Sequence, residues 1–240
     1  MFLFILRRVV SLIKWCIITL VVAPIVGVLF YKNMPVHYTP LMFIRMVEQV
    51  TDGHKPKLHH QWVGREDITP YMAQAVITSE DQRFLTHNGF DLVEISNSLN
   101  DHYVKGKRMR GGSTISQQTA KNVFLWPTSS WVRKGFETYF TVLIELFWSK
   151  ERIMEVYLNS IEMGDGIYGV AAVAEIHFQT MPSHLSKQKC ALIAATLPNP
   201  LKYNSAAPSP YIKKRQKTII AGMKHAPLLW DMPKTSKTLD

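Results

Sequence analysis

The most hydrophobic stretch of the chain lies near its N-terminus. Residues 9–31 are almost entirely apolar, interrupted by Ser11, Lys14 and Thr19. Such a run is long enough to cross a bilayer, which takes about 20 residues. A cleaved signal peptide is the alternative, but its apolar region is normally about 7 to 15 residues long and ends at a small-residue cleavage site, which this run lacks. The pattern favours a retained single-pass anchor, and Arg7 and Arg8 before it place residues 1–8 in the cytoplasm by the positive-inside rule.

Beyond the anchor, apolar residues recur at helical spacing and strand signals are scarce, which predicts a mainly α-helical fold. Residues 32–62 form a connector with one short helix, and the pattern leaves open whether this helix packs on the domain or lies at the membrane interface. Residues 63–225 form one domain, and residues 226–240 form a loose polar tail. Helices are predicted to begin at capping residues, namely Thr39, Thr69, Asp91, Ser113 and Thr114, Ser129 and Ser130, Ser149, Ser186 and Ser209.

Two of these helices carry a clear apolar face. The helix after Asp91, where Asp91 and Glu94 form a capping-box pattern, is predicted to be core scaffolding because apolar residues recur on one side. Its face consists of Leu92, Ile95, Leu99 and Tyr103. The helix after Ser130 is predicted to bury Phe136, Tyr139, Phe140, Leu143 and Phe147.

Composition narrows the class of protein. A chain of 240 residues with 47% hydrophobic residues holds one full core plus an appendage. The net charge of +10 indicates anionic partners, which are membrane headgroups, a phosphate-bearing substrate or nucleic acid. Only two cysteines are present, and the nine histidines show no metal-ligand spacing. A disulfide scaffold and a metal centre are therefore not predicted.

The first chemical candidate is Glu80, in the stretch S-E-D-Q-R-F-L-T-H-N-G at residues 79–89. A helix after Thr69 and Pro70 places Glu80 near its C-terminus, where the helix dipole disfavours negative charge. A carboxylate with a raised pKa suits a general base. The alternative is that Glu80 and Asp81 only pair with Arg83 or cap a loop, and this stretch alone does not decide.

The second candidate is an anion site further along the chain. Residues 105–112 form a basic, glycine-bearing loop, and Ser113 and Thr114 then cap a helix that carries Gln117 and Lys121 on one face. Free N–H groups at a helix start, with cations nearby, favour a phosphate. Taken singly, the loop also fits a solvated charge run. A Walker loop is excluded because its motif does not occur.

Glu137 is a second candidate carboxylate. It lies at the edge of the apolar face of its helix, one turn after Arg133. Two interpretations remain open, a partly buried carboxylate with a function and a plain salt bridge between residues four positions apart.

Four separate blocks in this order resemble the peptidoglycan glycosyltransferases of family 51. They are Glu80 to Gly89, Gly111 to Asn122, Arg133 to Glu137, and Lys150 to Asn159. The single anchor resembles the monofunctional members of that family. The resemblance covers roughly residues 63–203. It implies a lysozyme-like helical domain that polymerises lipid II into glycan strands at the outer face of the bacterial cytoplasmic membrane, with the catalytic domain in the periplasm.

The resemblance also implies roles for individual residues. Glu80 matches the base that deprotonates the 4-hydroxyl of the acceptor N-acetylglucosamine, whose oxygen attacks the anomeric carbon of N-acetylmuramic acid, inverts it and releases undecaprenyl pyrophosphate. Glu137 matches the second catalytic carboxylate, and Lys121 is the foremost pyrophosphate contact. The implied substrate-binding residues are Asp81, Phe84, His87, Arg110, Gly112, Ser113, Thr114, Gln117, Gln118, Lys121, Asn122, Arg133 and Lys134.

One departure from the family concerns the leaving group. The family carries a further basic residue shortly before R-K, where this chain has Ser129 and Ser130. Arg110, Arg133 and Lys134 are the candidates to complete the site. No cofactor is required, although magnesium or manganese assistance to pyrophosphate departure stays open.

Other functions fit the sequence less well. A lysozyme-type lytic enzyme suits catalytic glutamates but leaves the anion site unexplained. A noncatalytic membrane-tethered scaffold, including one for nucleic acid, lacks a legible binding module. A transpeptidase is not predicted, because Ser186 and Lys189 fit S-x-x-K but no K-T-G occurs. The expected partners are lipid II, the nascent strand and the bilayer, with other cell-wall synthases or division proteins left open.

Overall fold

Ten α-helices and a small sheet make up residues 2–106 and 112–231, the part of the chain that the computed structural model describes. The strands are β1 (His59–His60), β2 (Glu162–Gly164) and β3 (Ile167–Tyr168). The mainly helical prediction is confirmed. The helices are α1 (Phe2–Tyr31), α2 (Pro40–Thr51), α3 (Pro70–Glu80), α4 (Leu92–Lys105), α5 (Ile115–Phe124), α6 (Trp131–Phe147), α7 (Lys150–Ser160), α8 (Gly169–Phe178), α9 (Lys187–Thr196) and α10 (Pro210–Met223).

The predicted helix starts are confirmed, and most use the expected caps. At α5, the Thr114 hydroxyl accepts from the Gln117 backbone N–H while the Gln117 side chain accepts from the Thr114 N–H, which completes a capping box. The side chains of Ser130, Ser149 and their counterparts before α9 and α10 accept in the same way. Thr69 holds the cap position of α3 without a side-chain bond.

The hydrophobic core forms where α3, α5, α7, α8 and α9 meet. The predicted face of α6 is confirmed, since Phe140 and Leu143 are buried and the other three residues are partly buried against the core. The Phe140 ring stacks on Phe124 of α5 at a centroid distance of 4.5 Å. This packing fixes α5 between α6 and α7.

The predicted core role of α4 is wrong. Asp91 caps the helix as expected, but Leu92 is 72% exposed and Tyr103 is 79% exposed, with Ile95 and Leu99 exposed as well. Helical periodicity identifies a face and not what covers it. Within the described residues this face remains at the surface.

The connector packs on the domain through α2 and β1. Strand β3 lies between β1 and β2, parallel to the first and antiparallel to the second. Leu41 and Met42 of α2 are buried against Tyr168 of β3. The sequence left two positions open for this helix, and the structure shows it packed on the domain.

Two terminal segments also contact the domain. Leu6–Tyr31 of α1 is long and apolar enough to cross a membrane, and its last turns lie against α6, where Trp148 Nε1 donates to Val28 O at 2.8 Å. Trp230 packs against the core and donates to Ile68 O at 2.9 Å. The expected loose tail is therefore docked in its described part, which ends at residue 231. The domain boundaries at residues 63 and 225 stay predictions.

Candidate active site

Glu80 is the last residue of α3, and its carboxylate lies at the start of a cleft. Gln118 Nε2 donates to Oε2 at 3.2 Å, and the Ser79 hydroxyl donates to Oε1 at 3.3 Å. Arg215 of α10 approaches Oε1 with Nη2 at 3.7 Å. Arg83, the partner of Glu80 in the alternative interpretation, pairs with Asp91 instead. The simple alternative of a Glu80–Arg83 pair is therefore not what the structure shows.

The pKa of Glu80 is raised from its ordinary value, chiefly because burial removes the carboxylate from water. The bonds from Gln118 and Ser79 and the charge of Arg215 act in the opposite direction, and neighbouring Asp81 adds a smaller rise. Of the causes expected at this position, burial is the one that raises this pKa. A base of this kind accepts a proton more readily than an exposed glutamate does.

The Glu80 cleft has a volume of about 650 Å³. It runs from the end of α3 past the starts of α4 and α5 to α10. Its lining includes Glu80, Arg83, Glu94, Ser113, Thr114 and Arg215. The predicted residues Asp81 and Gly112 also line it.

Asp81 holds the start of α5 beside Glu80. Both of its carboxylate oxygens lie 3.0 Å from His87 Nε2, and Oδ2 accepts from the Ile115 backbone N–H at 3.0 Å. Phe84 is fully buried in the core, with the ammonium of Lys150 over its ring at 4.7 Å. Phe84 and His87 line neither this cleft nor the cavity described below, so the structure places them behind the site as support.

Gly89 closes the loop that carries these residues. Its φ of +90° is a conformation that side chains rarely adopt, and an added Cβ would lie 2.8 Å from Thr141 Cγ2. Its carbonyl accepts from the Thr114 hydroxyl at 2.6 Å. The loop after α3 and the start of α5 are thus held together.

Helix α5 leads from the cleft to a second space, the Lys121 cavity, of about 250 Å³. Gln118 lines this cavity while bonding to Glu80, and its Oε1 accepts from the Tyr157 hydroxyl at 3.2 Å. Gln118 therefore contacts both Glu80 and the cavity. The lining includes Arg45, Gln118, Lys121, Asn122, Trp126 and Glu162.

Lys121 is the predicted phosphate contact, and it is half-buried in this cavity. Burial is the main cause that lowers the pKa of its ammonium, while the charge of Glu137 acts in the opposite direction. An ammonium that has lost part of its hydration gains from an incoming anion. Lys121 suits the predicted role.

Glu137 is held by two cations on its own helix. Arg133 Nη1 lies 2.6 Å from Oε2, and Lys134 Nζ contacts Oε1. The carboxylate is buried and lines neither the Glu80 cleft nor the Lys121 cavity. The geometry is that of the salt bridge kept as an alternative, and the catalytic role stays a prediction.

Some predicted residues cannot be placed, and others were not predicted. Arg110, with residues 107–111, lies outside the described residues. Gln117 is buried in the capping box. The sequence reasoning missed Arg45, Glu162 and Arg215, because each reaches the site from a distant segment without a local motif.

One group of side chains has ligand atoms close enough for a metal ion. Oxygen and nitrogen atoms of Asp81, His87 and Asp91 lie within 4.8 Å of one another. Asp81 is already bonded to His87 and Ile115, and Asp91 accepts from the Glu94 N–H and pairs with Arg83. These bonds use the carboxylate oxygens and His87 Nε2, whereas His87 Nδ1 is buried and has no hydrogen-bond partner among the described residues. The group is thus a structural network with one buried ligand atom left over, and whether a metal ion binds at this place stays open.

The mainly helical fold with a helix-end glutamate in a cleft is the arrangement that the resemblance to lysozyme-like glycosyltransferases predicts. The transglycosylase family model matches residues 46–224. The chain belongs to this family and is a peptidoglycan glycosyltransferase.

Several curated relatives are similar over most of their length. A biosynthetic peptidoglycan transglycosylase of Bacteroides thetaiotaomicron is 57% identical over 92% of this chain and 89% of the relative. Proteins of the same name are 46% identical in Bdellovibrio bacteriovorus, over 88% of this chain and 85% of the relative, and in Caulobacter vibrioides, over 90% and 91%.

Proposed function

We propose that the protein polymerises lipid II into glycan strands by inverting glycosyl transfer. The observation that carries this proposal is the adjacency of base and cation. Glu80 and the Lys121 cavity share Gln118, which bonds to the first and lines the second. A sugar bound between them has a proton acceptor on one side and a cation on the other.

The proposed reaction uses Glu80 as general base. Its carboxylate takes the proton of the acceptor N-acetylglucosamine 4-hydroxyl in the Glu80 cleft, and the oxygen attacks the anomeric carbon of the N-acetylmuramic acid that ends the growing chain. The bond from that carbon to undecaprenyl pyrophosphate breaks, and the configuration inverts. Charge that develops on the pyrophosphate meets Lys121. Attack on one side and departure on the other suits the two spaces on either side of Gln118.

The proposed location follows from α1. With Arg7 and Arg8 in the cytoplasm, the domain lies on the periplasmic side of the inner membrane, at the surface that confines the lipid-linked substrate. The chain is proposed to have no transpeptidase activity, because no K-T-G motif accompanies Ser186 and Lys189.

The test supplies purified full-length protein with labelled lipid II in detergent. Long glycan strands and released undecaprenyl pyrophosphate are expected from the wild type. A lytic enzyme would instead release soluble muropeptides from preformed peptidoglycan and give no strands. That pattern would refute the proposal.

A further inference from the structure

Arg45 brings a cation from the connector to the Lys121 cavity. It lies on α2 and lines the cavity together with Lys121 of α5. Its Nη1 pairs with Glu48 at 2.7 Å, and its Nε lies 3.6 Å from Glu162 Oε2. That Nε is buried and makes no hydrogen bond within the described residues. The guanidinium is thus only partly satisfied by its neighbours.

Two of the other candidate cations, both within the described residues, are engaged elsewhere. Arg133 and Lys134 both contact the buried carboxylate of Glu137 and do not line the cavity. Of the residues that line it, Arg45 and Lys121 are the cations. Ser129 and Ser130 stand where a further basic contact was expected, and among the described residues Arg45 brings a cation to the cavity from another segment.

The carboxylates beside Arg45 leave its guanidinium able to bind an anion. Glu48 is 46% exposed, so water weakens its attraction. Glu162 is mostly buried, and this burial raises the pKa of its carboxyl and disfavours its negative charge. A guanidinium carries five N–H donors, and the bond to Glu48 uses one.

The position of Arg45 is fixed by the packing of its helix. Leu41 and Met42, on the turn before it, are buried against Tyr168, and α2 contacts α5 directly. A donor held in place on a packed helix loses little freedom when it binds an anion.

We propose that Arg45 is a second cation that contacts the departing diphosphate beside Lys121, which makes the connector helix part of the substrate site. This inference rests on the proposed function and deepens it. The diphosphate lies between α2 and α5 and is held by a guanidinium on one side and an ammonium on the other. Charge-assisted bonds of this kind are the stronger class of hydrogen bond.

The test compares Arg45→Gln with Glu48→Gln in full-length protein. The first variant removes the proposed contact, while the second removes only the surface partner and keeps the cation. Affinity for inorganic pyrophosphate is measured by calorimetry, and kcat and KM are measured with lipid II. Arg45→Gln is expected to weaken pyrophosphate binding about tenfold and to lower kcat/KM at least as much, whereas Glu48→Gln stays near wild type.

Two outcomes would overturn the inference. One is unchanged pyrophosphate affinity in Arg45→Gln with an unchanged melting temperature. The other is an equal loss in both variants with equally lowered melting temperatures, as expected if the pair only holds α2 in place. Failure of the proposed function looks different, because the wild type would then form no strands whatever its affinity for pyrophosphate.

Discussion

At the scale of single residues, the chemistry depends on what surrounds Glu80. Burial and the charge of neighbouring Asp81 favour its protonated form, while Gln118 and Arg215 favour the carboxylate. The balance leaves the pKa raised, which suits a group that must take a proton from a sugar hydroxyl. The surroundings of Glu80 therefore set how readily it accepts a proton. They also lower the stability of the native state at neutral pH, where the carboxylate is charged and buried.

Glu80→Gln should abolish polymerisation while lipid II binding persists, because glutamine keeps the shape but accepts no proton. A general base contributes about 10²- to 10⁴-fold to a rate, so kcat should fall by that factor or more. Strand formation on gels and lipid II binding by the same protein check the two parts. Full activity in this variant would remove Glu80 from the role.

The same substitution should stabilise the protein at neutral pH. The native state holds the Glu80 proton to a higher pH than the unfolded chain, so stability falls as pH rises from about 4.3, the unfolded value, through the raised native pKa. Glu80→Gln removes this loss. Its melting temperature should exceed that of the wild type at pH 7, and the difference should vanish near pH 4. A constant difference across this range would contradict the assignment.

Arg215→Gln should change the pH dependence of the reaction. Arg215 lowers the pKa of Glu80 by its charge, so its removal raises that pKa further. The acidic limb of the pH profile of kcat should then move to higher pH. Lys213→Gln is the matched control, because it removes the same charge from an exposed position of α10. Equal shifts in both variants would indicate a general charge effect.

Lys121→Ala should weaken lipid II binding and turnover together. Its ammonium lies in the cavity proposed to hold the diphosphate, in both the bound substrate and the transition state. Removal of a charge-assisted contact costs about 1.5 to 3 kcal/mol, which is roughly 10- to 150-fold in kcat/KM. An unchanged KM in steady-state kinetics would argue against a phosphate contact.

The helix positions of Glu80 and Lys121 were predictable because their signals are local. A helix C-terminus and a capping box are encoded within a few residues. Arg45, Glu162 and Arg215 were not predictable, because their contacts join segments that are distant in the sequence. Spacing alone left two interpretations open for Glu137, and the folded structure shows that both Arg133 and Lys134 contact its carboxylate.

At the scale of helices and strands, helix starts were predictable and the environment of each face was less so. Caps such as Thr114 satisfy N–H groups within one turn, which sequence encodes directly. Whether an apolar face is buried depends on another helix or strand that packs against it. For α6 the inner face meets the core, while for α4 the face stays exposed in the described structure.

Substitutions on α4 and α7 should distinguish an exposed apolar side chain from a buried one. Leu92→Ala, on the exposed face of α4, should change the free energy of unfolding by less than about 0.5 kcal/mol. Leu158→Ala, in the fully buried side of α7, should cost about 2 to 5 kcal/mol. Denaturant unfolding in detergent measures both. A large loss at Leu92 would mean that something covers α4 in solution.

At the scale of the whole molecule, the anchor and the catalytic domain are joined by hydrogen bonds at the end of α1. A helix end leaves its last four carbonyls without partners, and an unpaired carbonyl is unfavourable in the apolar interior of a membrane. Trp148 satisfies the Val28 carbonyl, and the guanidinium of Arg152 reaches the Tyr31 carbonyl at 2.9 Å. These bonds hold the end of α1 against the domain.

Arg152→Gln should therefore loosen the joint between anchor and domain without touching the cleft. Arg152 also donates to the Met34 carbonyl and stacks over Trp62, so its loss frees the segment after α1 at several points. Hydrogen exchange at residues 29–36 should become faster, while exchange in α3 and α5 stays as in the wild type. Arg65→Gln, which removes an exposed arginine nearby, serves as the control. If exchange after α1 did not change, the joint would be held instead by the bonds that Tyr139 and Trp148 donate to α1.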